Sequence, residues 1–351
     1  MIIDELFTEE NVTKPISKPY FIAEAGVNHE GSMELAKRLI NEAKEGGADA
    51  IKFQTYKAST IAAKNSPSYW DLSKEPTKNQ FELFSKYDSF WKKEYIELKE
   101  YCDKVDITFL STPFDKESAI FLNDLMPLFK ISSSDLTNKP FIELMCDFNK
   151  PILLSTGASN LDEIKESVLC IKNKGNKLSL LHCILNYPTT NENANLGMLL
   201  DLKRNFPETL LGYSDHTLAS EIQNLEYATV LGAKIIEKHF TFDKTLPGND
   251  HYHSFDKDDL KKYNTRIDNL ISSIGSTNKF ALESEEPARK NARRSLISLN
   301  PISKGEVISE EHLTWKRPAF GISPKEIDKL IGKKAINDIK EDEILYWNMF
   351  E

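Results

Sequence analysis

Between residues 19 and 275 short apolar runs alternate regularly with amphipathic segments, and this alternation limits the folds open to the chain more than any other feature. The runs are YFIAEA (20–25), AIKFQ (50–54), ITFLST (107–112), LFKIS (128–132), PILLST (151–156), LSLLHC (178–183), TLLGYS (209–214) and KIIEKHF (234–240). Each is short and near-continuously apolar, as expected of parallel strands covered on both faces. Between them the period changes to about 3.6. Ile164, Val168 and Ile171 share one face of such a segment, which Ser159 opens with Asp162 in capping-box spacing and Gly175 closes. Leu35, Leu39, Ile40 and Ala43 share another, after Ser32 and before Gly46 and Gly47. Eight strand-plus-helix units over about 255 residues predict a (β/α)8 TIM barrel, for which about 250 residues is typical. An open doubly wound sheet competes, but it commonly carries a glycine-rich phosphate fingerprint after its first strand, and the chain has no GxGxxG.

The texture changes after residue 276. The stretch 277–292 is charged and reads as a linker, and residues 293–351 form a compact segment with strand-like SLISL, EVISEEHLTWK and DEILYW, and one short helix after Pro324. The expected organisation is therefore a barrel over 1–276, the linker, and a small second domain. A unit of about 60 residues is marginal by itself. The longest strand-to-helix connection, about 56–88, is long enough to serve as a lid or binding loop.

Forty-five Lys and Arg stand against 54 Asp and Glu, a net charge of −9. Nucleic acid and anionic membranes both demand a basic footprint, so neither is expected as a partner. No apolar stretch is long enough to span a bilayer, and the acidic start MIIDELFTEE lacks the features of a signal peptide. Cys102, Cys146, Cys170 and Cys183 have no metal or disulfide spacing and read as reduced thiols. Together these features give the expectation of a cytoplasmic protein.

Barrel enzymes carry their reactive groups at the C-terminal ends of the strands. Here those ends hold Glu24, Lys52, Gln54, Ser111, Thr112, Lys130, Ser132, Ser133, Ser155, Thr156, His182, Ser214, Asp215, His216, Glu237, Lys238 and His239. Two lysines with several hydroxyls suit a phosphate or a carboxylate. His216 and His239 end neighbouring strands beside Asp215 and Glu237, so their imidazoles can share one metal ion and leave positions open for water and substrate. Glu24 is the candidate general acid or base. His29 and His182 read as structural.

These segments, quoted as FIAEAGVNHEGS, IKFQTYKA, FLSTPFD, FKISSSDLTN, PILLSTGAS, LLHCILNYP, GYSDHT, IIEKHFTFDKTLPGNDH and LTWKRPAFGIS, together resemble the bacterial sialic acid synthase family over about 20–345. The resemblance implies a TIM barrel followed by an antifreeze-like (SAF) domain, in a domain-swapped homodimer. It implies condensation of phosphoenolpyruvate with an N-acetylmannosamine-type sugar, dependent on Mn2+ or on Mg2+ or Co2+, with release of phosphate. Residue by residue, it implies His216 and His239 as metal ligands and Glu24 as the carboxylate that acts on water. Lys52, Gln54, Thr112, Lys130, Ser133, Ser155 and Ser214 would hold phosphoenolpyruvate. Tyr187, Glu237, Asp250 and the partner chain's copy of Arg317 would contact the sugar. Ser132-Ser133-Ser134-Asp135 and Leu185 depart from the family pattern.

Two other functions compete. The acceptor can be a 2,4-diacetamido-2,4,6-trideoxymannose, which leads to N,N'-diacetyllegionaminic acid. AEAGVNH suits the sialic and legionaminic branches, whereas the pseudaminic branch more often reads AEISANH. The SAF-like segment alone would allow a binding or ice-interacting protein, a role that needs neither the histidine pair nor Glu24.

Overall fold

The computed structural model describes residues 3–14, 16–73, 75–248 and 250–351. Each apolar run becomes a strand: β1 (Tyr20–Gly26), β2 (Ala50–Thr55), β3 (Thr108–Pro113), β4 (Phe129–Ile131), β5 (Ile152–Ser155), β6 (Leu178–Cys183), β7 (Leu210–Asp215) and β8 (Ile235–His239). They pair in parallel in the order β3-β2-β1-β8-β7-β6-β5-β4, and β3 lies against β4, so the sheet closes into a (β/α)8 barrel. Nearly every strand residue is buried, because side chains fill the barrel on one face and meet the helices on the other.

Register sets the chemistry at the top of the barrel. Glu24 lies beside Lys52 on one side and His239 on the other. Gln54 is paired with Thr112, Glu237 with Ser214, and Ser214 with Cys183. The β1–β2 register shifts between Glu24 and Gly26, and Gly26 has φ +53°. A side chain there would be strained and would crowd the Gln54 amide, which holds Glu24.

Helix Met33–Gly46 is capped by Ser32, whose hydroxyl accepts from the Leu35 N–H, and ends at Gly47 with φ +92°. It buries Ala36, Leu39, Ile40 and Ala43, and Leu35 is only half-buried. Helix Leu161–Asn173 buries Ile164, Val168 and Ile171, but its cap lies one residue later than the spacing of Ser159 suggests. Asn160 is the cap and its N–H donates to Glu163, while the Ser159 hydroxyl donates to the Gly157 carbonyl.

The chain divides into two compact units, Met1–Gly275 and Ser276–Glu351. In the second, β9 (Ser295–Ser298) and β10 (Leu313–Lys316) pair antiparallel. Its core gathers Leu296, Ile302, Ile308, Ile322, Leu330 and Leu345 among others. The stretch read as a linker contains a short helix, Glu286–Ala292. DEILYW supplies a single bridge, Ile344 to Ile297, rather than a strand. No helix among the described residues is long and apolar enough to cross a membrane.

Candidate active site

The strand ends surround a cavity of about 550 Å3. Glu24, Lys52, Gln54, Thr112, Lys130, Ser133, Ser155, Tyr187, Ser214, Glu237, His216 and His239 all line it, so the structure brings together twelve of the fourteen residues to which the resemblance assigns a role. Asp250 lines an adjoining pocket of about 170 Å3, into which Tyr187 and His239 also face. Arg317 belongs to the second unit, directly after β10.

At the cavity floor buried charges alternate. The Lys52 ammonium lies 2.5 Å from Glu24 and 3.7 Å from Glu237, and donates to the Thr112 hydroxyl at 2.9 Å. Lys130 is 3.3 Å from Glu237, which also accepts from Ser214 at 3.1 Å. The structure thus ties Glu237, expected as a sugar contact, to the two lysines. Burial raises the Glu24 carboxyl to about 6 against the pull of Lys52, with the charge of Glu237 adding to the rise. Burial pushes Glu237 up as well, but Lys130 and Lys52 outweigh it and hold this carboxyl below its usual range. Two carboxylates on neighbouring strands thus differ in proton affinity, the arrangement general acid–base chemistry uses.

Among the described residues around this floor, Ser155 Oγ, Glu237 Oε2 and His239 Nδ1 are buried without a hydrogen-bond partner, while Glu24 Oε2 has the Lys52 ammonium beside it. Buried polar groups are normally satisfied, so their grouping at one cavity points to a bound ligand. The His216 and His239 ring centroids are 5.4 Å apart. His216 Nδ1 lies 2.6 Å from the Ile184 carbonyl; it therefore carries the proton and leaves Nε2 as the ligand atom. Burial and the neighbouring His253 and His216 keep His239 far below the usual histidine range, hence neutral and able to ligate. Burial lowers the His216 imidazole, but Cys183, the Ile184 carbonyl and Asp215 outweigh it and raise that ring above its ordinary value. The donor set, two imidazoles with carboxylates nearby, fits a divalent cation, whose charge favours the deprotonated ring.

The surroundings also hold residues the sequence reading did not single out. Potential ligand atoms of His239, Asp250 and His253 lie within 4.8 Å of one another. The signal was available, because His251 and His253 follow Asp250 in the loop after β8. The aromatic wall of the smaller pocket was equally unmarked. It is made by Tyr56, Tyr69, Trp70, Phe84 and Tyr87 from the long connection after β2, with Phe114 after β3.

Asp215 does not serve the histidine pair. It is buried 2.7 Å from the Lys238 ammonium, and it accepts from the Tyr213 hydroxyl and from the N–H and hydroxyl of Thr217. His29 stacks on Phe90 at 4.2 Å, and His182 binds the Ala194 carbonyl at 2.8 Å. Cys183 does line the cavity, with its sulfur 3.8 Å from His216 Nδ1.

Residues 39–279 match the NeuB family and residues 293–351 match the SAF domain. An N,N'-diacetyllegionaminic acid synthase of Campylobacter jejuni is 41% identical over 338 residues, covering 94% of this chain and 99% of that protein. A protein of the same name from Legionella pneumophila is 37% identical over 340 residues, covering 95% of this chain and 94% of that one. The crystal structure of an N-acetylneuraminic acid synthetase from Leptospira borgpetersenii is similar at TM-score 0.68 and 34% identity, covering 78% of this chain and 90% of that chain.

Proposed function

Since the chain belongs to the NeuB family, carrying its barrel and its SAF domain, we propose that it condenses phosphoenolpyruvate with an N-acetylmannosamine-type sugar to give a nonulosonic acid and phosphate. The observation that carries this reading is the meeting of Lys52, Lys130 and four hydroxyls with Glu24 and the histidine pair at one barrel mouth.

Lys52, Lys130 and the hydroxyls of Thr112, Ser133, Ser155 and Ser214 hold the carboxylate and phosphate of phosphoenolpyruvate. The Gln54 amide donates to Glu24 at 3.0 Å and keeps that carboxylate oriented. C3 of phosphoenolpyruvate bonds to the aldehyde carbon of the open-chain sugar, whose oxygen gains a proton. Water adds at C2 as Glu24 takes one of its protons, and the C2–O bond to phosphate breaks, leaving the α-keto acid. His216 and His239, with Asp250 and His253 nearby, would hold a divalent ion, Mn2+ in this proposal. Such an ion supplies Lewis-acid polarisation of the aldehyde oxygen. Much of the acceleration would then come from positioning and from charges set in place before reaction.

A second acceptor is favoured by a specific observation. The smaller pocket is walled largely by aromatic rings, which suit a sugar that has lost its 6-hydroxyl and carries a second acetamido group. The names of the Campylobacter and Legionella relatives agree with 2,4-diacetamido-2,4,6-trideoxymannose.

Phosphate release from phosphoenolpyruvate, measured with each sugar in turn, tests both readings. One sugar should support release, EDTA should stop it, and Mn2+ should restore it; silence with both sugars would end the proposal. Lys52→Ala and Lys130→Ala should each raise the KM for phosphoenolpyruvate about 10- to 100-fold, the loss of a charge-assisted contact of about 1.5–3 kcal/mol. A rise confined to the sugar's KM would mean that the anion pocket is misplaced.

A further inference from the structure

At the other end of the barrel, where β7 and β8 begin, three lysines surround a cavity of about 260 Å3. Lys234 immediately precedes β8 and is only 5% exposed, with its ammonium donating to the Ser17 hydroxyl at 2.9 Å. Lys203, in the last turn of helix Met198–Asn205, donates to the carbonyls of Val12 at 3.3 Å and Pro207 at 2.9 Å. Lys14 ends helix Glu9–Thr13. Thr209, just before β7, also lines the cavity, and its buried hydroxyl has no hydrogen-bond partner.

The carbonyls of Val12, near the end of helix Glu9–Thr13, and of Pro207, beyond its own helix, account for Lys203. They do not account for Lys234. Among the described residues the other charges acting on that buried ammonium are those of Lys14 and Lys203, and no carboxylate balances it. A buried cation without a counter-charge is costly, and two like charges beside it add to the cost. Burial and the two neighbouring lysines lower the Lys234 ammonium to about 8. An anion seated among the three would reverse each of these penalties and give the Thr209 hydroxyl an acceptor.

We propose that this cavity binds a small doubly charged oxyanion of the phosphate class, held by Lys14, Lys203 and Lys234 with Thr209 donating. The site lies at the N-terminal ends of the strands, away from Glu24 and His239, so it stands independently of the condensation reaction.

The experiment follows the 13Cε resonances of lysine-labelled protein through a pH titration in sodium phosphate, sodium acetate and sodium chloride at matched ionic strength. The Lys234 signal is identified by its loss in Lys234→Gln. Saturating phosphate should raise the Lys234 midpoint by on the order of one pH unit, with saturation at millimolar concentration or below. Phosphate held at the strand ends would move Lys52 and Lys130 instead, so the two locations are read separately. A Lys234 midpoint that stays put, or that moves equally in chloride, overturns the site, and acetate acting as well as phosphate overturns its preference for a dianion. If Lys234→Gln does not fold, the partly exposed Lys203 offers a second variant. Lys203→Gln should weaken the phosphate response of Lys234 at least threefold, and an unchanged response counts against the proposal.

Discussion

Asp215 and Glu237 show how far side-chain identity falls short of a role. Asp215 ends β7 and Glu237 lies within β8, and both are buried and face a lysine. Asp215 is saturated by Lys238, Tyr213 and Thr217, whereas Glu237 keeps one oxygen without a hydrogen bond at the cavity. His29 is a third case, and it supports a prediction about pH. Burial lowers its imidazole to about 4, and its Nδ1 accepts from the Gly31 N–H at 3.1 Å. An unfolded histidine titrates near 6.5. Above that value neither state binds the proton, so His29 has no effect on pH dependence. Between about 6.5 and 4 the unfolded chain takes up a proton that the native state refuses, so stability falls as pH falls. Between pH 7 and 4.5 the loss from this residue should be about 2–3 kcal/mol. His29→Phe keeps a ring for Phe90 and removes the titration, so denaturant unfolding at the two pH values should show a smaller acid loss than in the wild type. Equal losses would mean that His29 is protonated in the native barrel.

At the scale of elements, strands were legible because a parallel strand is apolar on both faces and its run has clear ends. Caps were less so: Ser159 and Asn160 are both good caps by type, and the geometry of the Gly157 turn chose between them. One strand position carries a constraint that no periodicity reveals. A Cβ on Gly212, in the middle of β7, would lie 2.9 Å from the Ile235 carbonyl oxygen of β8 and 2.9 Å from Leu181 Cγ of β6. The carbonyl is backbone and cannot turn aside. Gly212→Ala should therefore destabilise the barrel by about 1–3 kcal/mol and lower its melting temperature by at least a few degrees. An unchanged melting curve would show that β7 and β8 can separate at that point without cost. The connection after β2 was legible as long and polar, but its aromatic residues gave no period from which a pocket wall could be inferred.

At the scale of the whole molecule, the second unit matters through Arg317. The resemblance assigns this residue to the barrel mouth of a second chain in a homodimer, and we propose that assignment for Arg317 here. An Arg there can donate in a fixed fork to an acetamido carbonyl. Arg317→Ala and His216→Ala homodimers should each be nearly inactive. Mixed chains should regain activity, because one barrel of each heterodimer keeps His216 and receives an intact Arg317 from its neighbour. Subunit exchange shown independently, with no recovered activity, would mean that Arg317 serves its own barrel or none.

The alternation of apolar runs and amphipathic segments determined the barrel, since eight doubly covered parallel strands have few other ways to close. The rule that barrel chemistry sits at strand ends then located Glu24, Lys52, Lys130, His216 and His239. Tertiary structure alone decided which of those charges neutralise one another, because burial and pair distances are not encoded at any single position. It also decided that loop residues as far apart in sequence as Tyr56 and Asp250 wall one pocket, and that Lys14, Lys203 and Lys234 share another. Sequence patterns report the period of an element; the contacts between elements depend on register and loop path, which only the folded chain fixes.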